Sequence, residues 1–196
     1  MNDFIFPIIL NINNFVDVYY FYSFILYFFI TIIFFTFSLP GGLIVSLASG
    51  FFFGFIPGFI INIFSVSFGS LIFIFFSKTI LKNIFNKYYL KYSEKISGYL
   101  KSSSYEYLIL IRLIIGPPLV FQNICISLLK VSSTKILISS FIGFSPTMLL
   151  FSYSGSYISD VIKLKEFTLS KIFSLEIILI LLTLILIIIF KIFNKK

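Results

Sequence analysis

Sixty consecutive residues, from Val18 to Ser77, contain no charged side chain. A helix needs roughly 20 apolar residues to cross the hydrocarbon core of a bilayer, so this stretch is long enough to cross more than once. A soluble domain of similar size would carry about 25% charged residues, whereas this chain carries 11%. The uncharged stretch therefore predicts an all-α polytopic integral membrane protein.

Composition excludes several classes of site. The chain has no histidine and one cysteine, Cys125, so it offers neither an internal disulfide nor an imidazole base. The seven carboxylates are scattered without the spacing of metal ligands. We therefore expect no metal, no cofactor, no nucleic-acid partner and no enzymatic activity. An intramembrane enzyme is disfavoured in particular because its Ser or Thr nucleophile would lack an evident base.

Apolar segments and their breaks divide the chain into three parts. Residues 1–39 hold an N-terminal segment and a first spanning helix, Val18–Leu39. Residues 40–160 form the core, in which two apolar segments, 40–58 and 105–129, are interrupted by Gly and Pro. Residues 161–196 hold most of a polar loop, which runs from Tyr157 to Lys171, and a last spanning helix, Leu175–Phe193. Counting 58–77 and 136–154, the pattern predicts about four transmembrane helices plus two re-entrant helical hairpins in a pseudo-inverted repeat, with Pro146 kinking one of the spans.

The segment 78–101 is basic, with six lysines and one glutamate. Apolar residues and lysines fall on different faces of a helix here, which favours a helix lying on anionic lipid; the lysines in question are Lys82, Lys87, Lys91 and Lys95. A plain cytoplasmic loop that follows the positive-inside rule explains the same charges. Both interpretations place the segment and both chain termini in the cytoplasm, provided that the two broken segments return to the side they enter.

Broken apolar segments at matching places in two halves are typical of a transport site at a repeat interface. The first contains Pro40 and the glycines Gly50, Gly54 and Gly58, whose spacing of four predicts a flat groove on one helix face. Plain helix packing explains this spacing equally. The second segment is broken at Gly116, Pro117 and Pro118.

The only arginine of the chain, Arg112, precedes the second break. A guanidinium in apolar sequence costs several kcal/mol unless it is paired or faces water. Its planar fork matches phosphate better than the point charge of a lysine. The alternative is that Arg112 reaches the cytoplasmic interface and pairs with Glu106, although a spacing of six residues is poor for a helical pair.

Taken together, these residues resemble the SNARE-associated Golgi protein family, also called the DedA or VTT-domain family, and its Tvp-like branch most. The first half of the pattern matches Pro40, the three glycines and Gly69; the second half is matched by Arg112, Leu113, Pro118, Asn123, Gly143, Pro146 and Gly155. Ile115, Lys78 and Ser127-Leu128-Leu129 depart from it. No carboxylate lies between Val18 and Ser77, which argues against proton coupling through the first half.

The resemblance implies two re-entrant hairpins that face each other from opposite sides of the membrane. It implies a lipid transporter or scramblase that moves phospholipid or polyprenyl-phosphate headgroups between leaflets. Arg112 would then hold the phosphate, the two breaks would form the groove, and Asn123 would satisfy freed backbone or contact the headgroup. The alternative is a membrane scaffold that transports nothing, and a channel is disfavoured because the pore would hold one cation. We expect membrane lipids as partners and a bacterial inner membrane as the location. A homo-oligomer is compatible with the sequence.

Overall fold

The structure is a computed structural model that describes residues 11–84, 105–114, 118–129 and 131–164. These residues form seven helices and no strand. The helices are α1 (Asn11–Val18), α2 (Tyr20–Thr36), α3 (Gly42–Phe53), α4 (Phe55–Ile84), α5 (Tyr105–Leu113), α6 (Leu119–Ser127) and α7 (Ser133–Leu164). The prediction of an all-helical chain is therefore confirmed for the part that the structure describes.

Two long helices, α4 and α7, are the scaffold of the fold. Both are long and apolar enough to cross a membrane, over Phe55–Ile80 and Ser133–Val161. They run antiparallel, since Val66 of α4 packs with Phe144 of α7, while Ile74 packs with Ile136. Every other described helix of the core packs on this pair.

Both long helices extend further than the sequence predicted. Lys78 was expected to end the third apolar segment, but α4 continues to Ile84. The Lys78 amine donates a hydrogen bond to the Val131 carbonyl at 3.2 Å, so the lysine has a partner without leaving the helix. A polar loop was expected from Tyr157, but α7 continues to Leu164. A few polar residues alone do not interrupt a helix whose remaining positions are good helix formers.

The first half contains a hairpin formed by α2 and α3. The two helices are antiparallel, because the Tyr20 hydroxyl donates to the Phe53 carbonyl (3.3 Å) and the Tyr27 hydroxyl donates to the Val45 carbonyl (2.7 Å). The end of α2 lies beside the middle of α4, where a Cβ added to Gly69 would lie 2.8 Å from the Cβ of Phe35. The chain therefore reverses between α2 and α3 about halfway along the span of α4.

This hairpin corrects two boundaries that the sequence suggested. An unbroken span over Val18–Leu39 was expected, but α2 has 17 residues and meets α1 at 110°. The reversal lies at residues 37–41, so it begins three residues before the predicted segment 40–58. A second break, inside that segment, follows at Gly54. Ser38 and Gly41 adopt positive φ angles of 48° and 100° there, and these left-handed conformations are what a tight reversal requires.

A second hairpin, formed by α5 and α6, has its break within the predicted segment 105–129. The two helices are antiparallel, since Leu108 and Ile126 pack in one cluster, and the Gln122 amide donates to the Ile114 carbonyl at 3.4 Å. Pro118 directly precedes the first residue of α6, a place where proline's missing N–H costs little. Each half of the core thus consists of a helical hairpin followed by a long helix, and the two long helices run in opposite directions. The inverted repeat and the count of four spans and two re-entrant segments stay predictions.

Close glycine contacts join α3 to its neighbours. A Cβ on Gly50 would collide with the Ser152 carbonyl oxygen, and a Cβ on Gly155 would collide with the Leu47 carbonyl oxygen, so the α3 and α7 backbones touch at both points. A Cβ on Gly58 would lie 2.7 Å from the Cα of Gly50. The prediction that Gly50, Gly54 and Gly58 share one helix face is wrong, because Gly54 (φ 85°) separates α3 from α4. Gly50 and Gly58 instead hold two helices against each other.

Several predicted features lie outside the described residues. They are Gly116 and Pro117, the lysines Lys87, Lys91 and Lys95, and the last spanning helix of the C-terminal part 161–196 beyond Leu164. Lys82 belongs to the last turns of α4.

The surface of α2 is apolar and exposed, including Phe21, Leu26 and Phe29, as a helix that faces lipid requires.

Candidate anion-binding site

A cavity of about 640 Å³ lies between the two chain reversals. The first reversal contributes Ser38 to Leu43 to its wall, and the second contributes Arg112, Ile114 and residues 118–120 together with Gln122. The two long helices close the back with Val66, Phe144, Thr147, Met148 and Phe151. The two halves of the fold therefore meet at one concave site.

Arg112 lies in the wall of this cavity and is 1% exposed. Its Nη1 donates to the Asn123 Oδ1 at 2.8 Å, and its guanidinium carbon lies 4.8 Å from the centre of the Phe144 ring. The Nε and Nη2 atoms are buried and have no hydrogen-bond partner among the described residues. The alternative in which Arg112 reaches the interface and pairs with Glu106 is wrong, since the guanidinium is buried against Asn123 and Phe144.

Gly143 on α7 creates the space that Arg112 occupies. A Cβ at this position would collide with the Cβ of Arg112 and would lie 3.0 Å from the Ile109 carbonyl oxygen. Only glycine therefore lets α5 approach α7 closely enough to lay the guanidinium against Phe144. This gives Gly143 a role as the residue on which the arginine packs.

Asn123 connects Arg112 to the first chain reversal. Its Oδ1 accepts from Arg112, and its Nδ2 donates to the Ser38 Oγ at 3.4 Å. Both side chains are buried, and Ser38 holds a left-handed backbone conformation (φ 48°) that a residue with a Cβ rarely adopts. Strain of this kind is concentrated at binding and catalytic sites. The chain Arg112–Asn123–Ser38 thus links the two reversals by side-chain hydrogen bonds.

Two helix N-termini face the same cavity. Gly42 and Leu43 begin α3, Leu119 and Val120 begin α6, and all four line the wall. The first N–H groups of a helix have no partner within the helix, and the helix dipole places partial positive charge at this end. Together with the unpartnered N–H groups of Arg112, they make a site that attracts an anion.

The described residues of the lining supply no counter-charge for Arg112. None of the described lining residues is Asp or Glu, and the nearest partners of the guanidinium are a neutral amide and an aromatic ring. A buried cation without an anion is costly, so a bound anion would stabilise this site. The rim has the opposite character, because Leu39, Leu43 and Ile114 are apolar and exposed. The cavity is therefore suited to a ligand with one anionic and one apolar part.

The predicted site residues separate into two groups. Arg112, Pro40 and Pro118 lie in the cavity wall, and Asn123 and Gly143 lie directly behind Arg112. Gly50 and Gly58 lie instead in the packing contacts of α3, and Gly54 forms the junction of α3 and α4. Pro146 is inside α7, next to the lining residue Thr147.

Sequence reasoning missed Ser38, Phe144 and Thr147. Ser38 stands in a Ser-Leu-Pro-Gly-Gly stretch at the end of a long apolar run, so the turn residues signalled a reversal but not a contact 85 positions away. Phe144 is one of 29 phenylalanines, and nothing in its neighbourhood distinguishes it. Thr147 follows Pro146 in a helix without further signal.

The VTT domain matches residues 39–157 of the chain, which is more than half of its 196 residues. The matched region begins at the first chain reversal and ends on α7, so it includes every residue of the cavity wall except Phe35 and Ser38. The chain belongs to the VTT-domain family.

This membership confirms the resemblance that the sequence suggested, at the level of the VTT/DedA family as a whole. Together with the apolar helices, it identifies the chain as an integral membrane protein. No curated protein and no solved structure matches the chain.

Proposed function

We propose that this VTT-domain protein moves the phosphate headgroup of a membrane lipid between the two leaflets. The observation that carries the proposal is Arg112, a buried guanidinium in a cavity between two chain reversals, with two nitrogen donors that have no partner among the described residues. Such donors form short, charge-assisted hydrogen bonds with phosphate oxygens. The family membership agrees with a transporter or scramblase.

The shape of the cavity supports a lipid over a soluble anion. Its interior offers Arg112 and two helix N-termini, while its rim is apolar at Leu39, Leu43 and Ile114. A headgroup would bind inside while its acyl or prenyl chains remain among the rim residues and the surrounding lipid. The proposal covers phospholipid and polyprenyl phosphate alike, because both present the same phosphate oxygens.

The proposal includes several features that the sequence suggested. The protein would reside in a bacterial inner membrane with both termini in the cytoplasm, and the lysines of segment 78–101 would contact anionic lipid. The motif spacing favours the Tvp-like branch of the family. We keep the scaffold as the competing function, in which the buried bond from Arg112 to Asn123 serves folding alone.

The test is lipid movement in proteoliposomes that contain a fluorescent phospholipid in both leaflets. An impermeant reductant added outside bleaches the outer leaflet, and inner-leaflet lipid is bleached only if it moves outward. We expect wild-type protein to let bleaching pass well beyond half of the signal, and Arg112→Ala to stop it near half. A matched control is Lys135→Ala, which removes one cation on α7 that lies outside the cavity wall and is expected to leave movement unchanged.

Two results would contradict the proposal. Bleaching by folded wild-type protein that stops at half for phospholipid, and an equivalent failure with a labelled polyprenyl phosphate, would exclude movement of both lipid classes. Equal rates for wild type and Arg112→Ala at matched density of folded protein would exclude Arg112 from the path. The scaffold function would then stand.

A further inference from the structure

Three buried serines on the long helices have no hydrogen-bond partner within the part of the chain that the structure describes. Ser67 and Ser70 on α4 and Ser140 on α7 are all 0% exposed, and their hydroxyl oxygens are unpartnered among the described residues. A serine in a helix usually donates to the carbonyl three or four residues earlier. Ser49, Ser127 and Ser139 do so here, at 2.8, 2.7 and 3.0 Å. We call Ser67, Ser70 and Ser140 the serine layer.

The serine layer lies between two apolar clusters. On α4, the two serines fall between Val66 of one cluster and Ile74 of the other. On α7, Ser140 falls one helical turn from Phe144 of the first and one turn from Ile136 of the second. Because α4 and α7 are antiparallel and pair through these same residues, the three hydroxyls lie at one level of the protein.

The same register places Arg112 and Asn123 at the level of the serine layer. Arg112 is one turn from Leu108, and Asn123 is three residues from Ile126; both Leu108 and Ile126 belong to the cluster of Ile74 and Ile136. On α7, Ser140, Gly143 and Thr147 follow one face at helical spacing, and the unpartnered hydroxyl of Thr147 belongs to the cavity wall. Unpartnered polar groups thus continue from the cavity into the serine layer.

Burial without a partner makes these hydroxyls costly. A buried donor or acceptor that lacks a partner loses its hydration without compensation. Alanine at any of the three positions would therefore give a more stable fold than serine does. Polar groups in such a layer are satisfied by water or by a polar ligand. The cluster of Ile74, Leu108, Ile126 and Ile136 closes the layer on the side at which α4 ends and α5 begins.

We propose that the serine layer is a second headgroup position, which receives the hydrated phosphate after Arg112 and is closed by this apolar cluster. The proposal rests on the proposed function, since it extends the path of the same headgroup. Its hydroxyls would donate to phosphate oxygens and hold the accompanying water. The headgroup would then reach the far leaflet only when the cluster of Ile74 and Ile136 separates.

The first experiment measures hydration by thiol reactivity. In a Cys125→Ala background, Ser70→Cys, Ser140→Cys and Ile74→Cys would be treated with a small, charged, water-soluble thiol reagent in lipid bilayers. All three positions are buried to a similar degree, with exposures of 0%, 0% and 1%. A thiol in a dry apolar environment is inert. We therefore expect the cysteines at positions 70 and 140 to react at least about tenfold faster than the cysteine at position 74. Equal, slow reaction at all three positions would overturn the proposal.

The second experiment measures lipid movement by the triple variant Ser67→Ala, Ser70→Ala and Ser140→Ala. We expect its melting temperature to equal or exceed that of wild type, because unpartnered hydroxyls are removed, while lipid movement slows several-fold. If wild type moves lipid, Arg112→Ala does not, and the triple variant is as fast as wild type, then the serine layer is overturned and the proposed function stands. If wild type itself moves no lipid, both fall.

Discussion

The crossing of α3 on α7 and the region around Arg112 and the serine layer both include residues of α7, and they are built in opposite ways. At the crossing, Gly50 and Gly155 bring backbones into contact, and one added methyl group would collide with a carbonyl oxygen. Around Arg112, two nitrogens of its guanidinium, the three hydroxyls of the serine layer and the Thr147 hydroxyl are buried and unpartnered in the described structure. The backbones at the crossing therefore leave no space for a larger side chain, whereas the second region contains polar groups that make no hydrogen bond within the described fold. Folding and function should respond to mutation at different places along α7.

The largest effect on folding is expected at the crossing. Gly155→Ala and Gly50→Ala each place a methyl group against a backbone carbonyl, and overpacking of this kind costs about 1–3 kcal/mol or more because backbone cannot move aside as a side chain can. Thermal unfolding in detergent would show the loss. Gly42→Ala is the control, since its methyl group would meet the ring of Phe35 at 3.2 Å, which can shift. A melting temperature of Gly155→Ala equal to that of Gly42→Ala would remove the contrast between the two regions.

A large effect on function without loss of fold is expected for Asn123→Asp. The new carboxylate would lie at hydrogen-bond distance from Arg112 Nη1, pair with the guanidinium and remove its attraction for phosphate. We expect lipid movement to fall about tenfold or more, because charge-assisted pairing is about twice as strong as neutral hydrogen bonding. The melting temperature should not fall.

Asn62→Asp is the matched control for this exchange. Asn62 is equally buried, but its Nδ2 donates to the Ser46 carbonyl and the Ser152 hydroxyl, and both of these partners are neutral. A carboxylate there would be buried without a counter-charge and should lower the melting temperature. If Asn123→Asp moved lipid as fast as wild type at matched density of folded protein, binding of phosphate by the Arg112 guanidinium would not be required for lipid movement.

The smallest effect is expected at Ser38, where one residue has both a hydrogen bond with Asn123 and a left-handed backbone conformation. Two substitutions separate the effects of these two properties. Ser38→Ala and Ser38→Gly both remove the hydroxyl that accepts from Asn123, but only glycine adopts φ 48° without strain. We expect the glycine variant to be more stable than the alanine variant by about 1 kcal/mol, with the same modest decrease in lipid movement for both. Lipid movement that follows the melting temperature instead would assign Ser38 to folding alone.

The membrane class, the two interrupted segments and Arg112 could be predicted from the sequence, because each depends on local composition. A sixty-residue uncharged stretch, Gly/Pro breaks and a lone arginine are visible without a structure. Asn123 was predicted to be a site residue, but its hydrogen bond with Arg112 was not predicted. Its second bond, to Ser38, joins residues 85 positions apart, and no local pattern reveals such a contact. The role of the glycines was also hidden, because their spacing of four reads as one helix face only if the helix continues through Gly54. Long-range contacts and helix ends were the limits of prediction.

We propose that Arg112 serves lipid movement and not the stability of the fold. Arg112→Met tests it most directly, with thermal unfolding and fluorescent-lipid bleaching measured on the same preparation. A buried charge replaced by an apolar side chain of similar length is often neutral or stabilising, so we predict a melting temperature equal to or above that of wild type and bleaching that stops near half. A lower melting temperature with wild-type lipid movement per folded molecule would show instead that Arg112 stabilises the fold and takes no part in lipid movement.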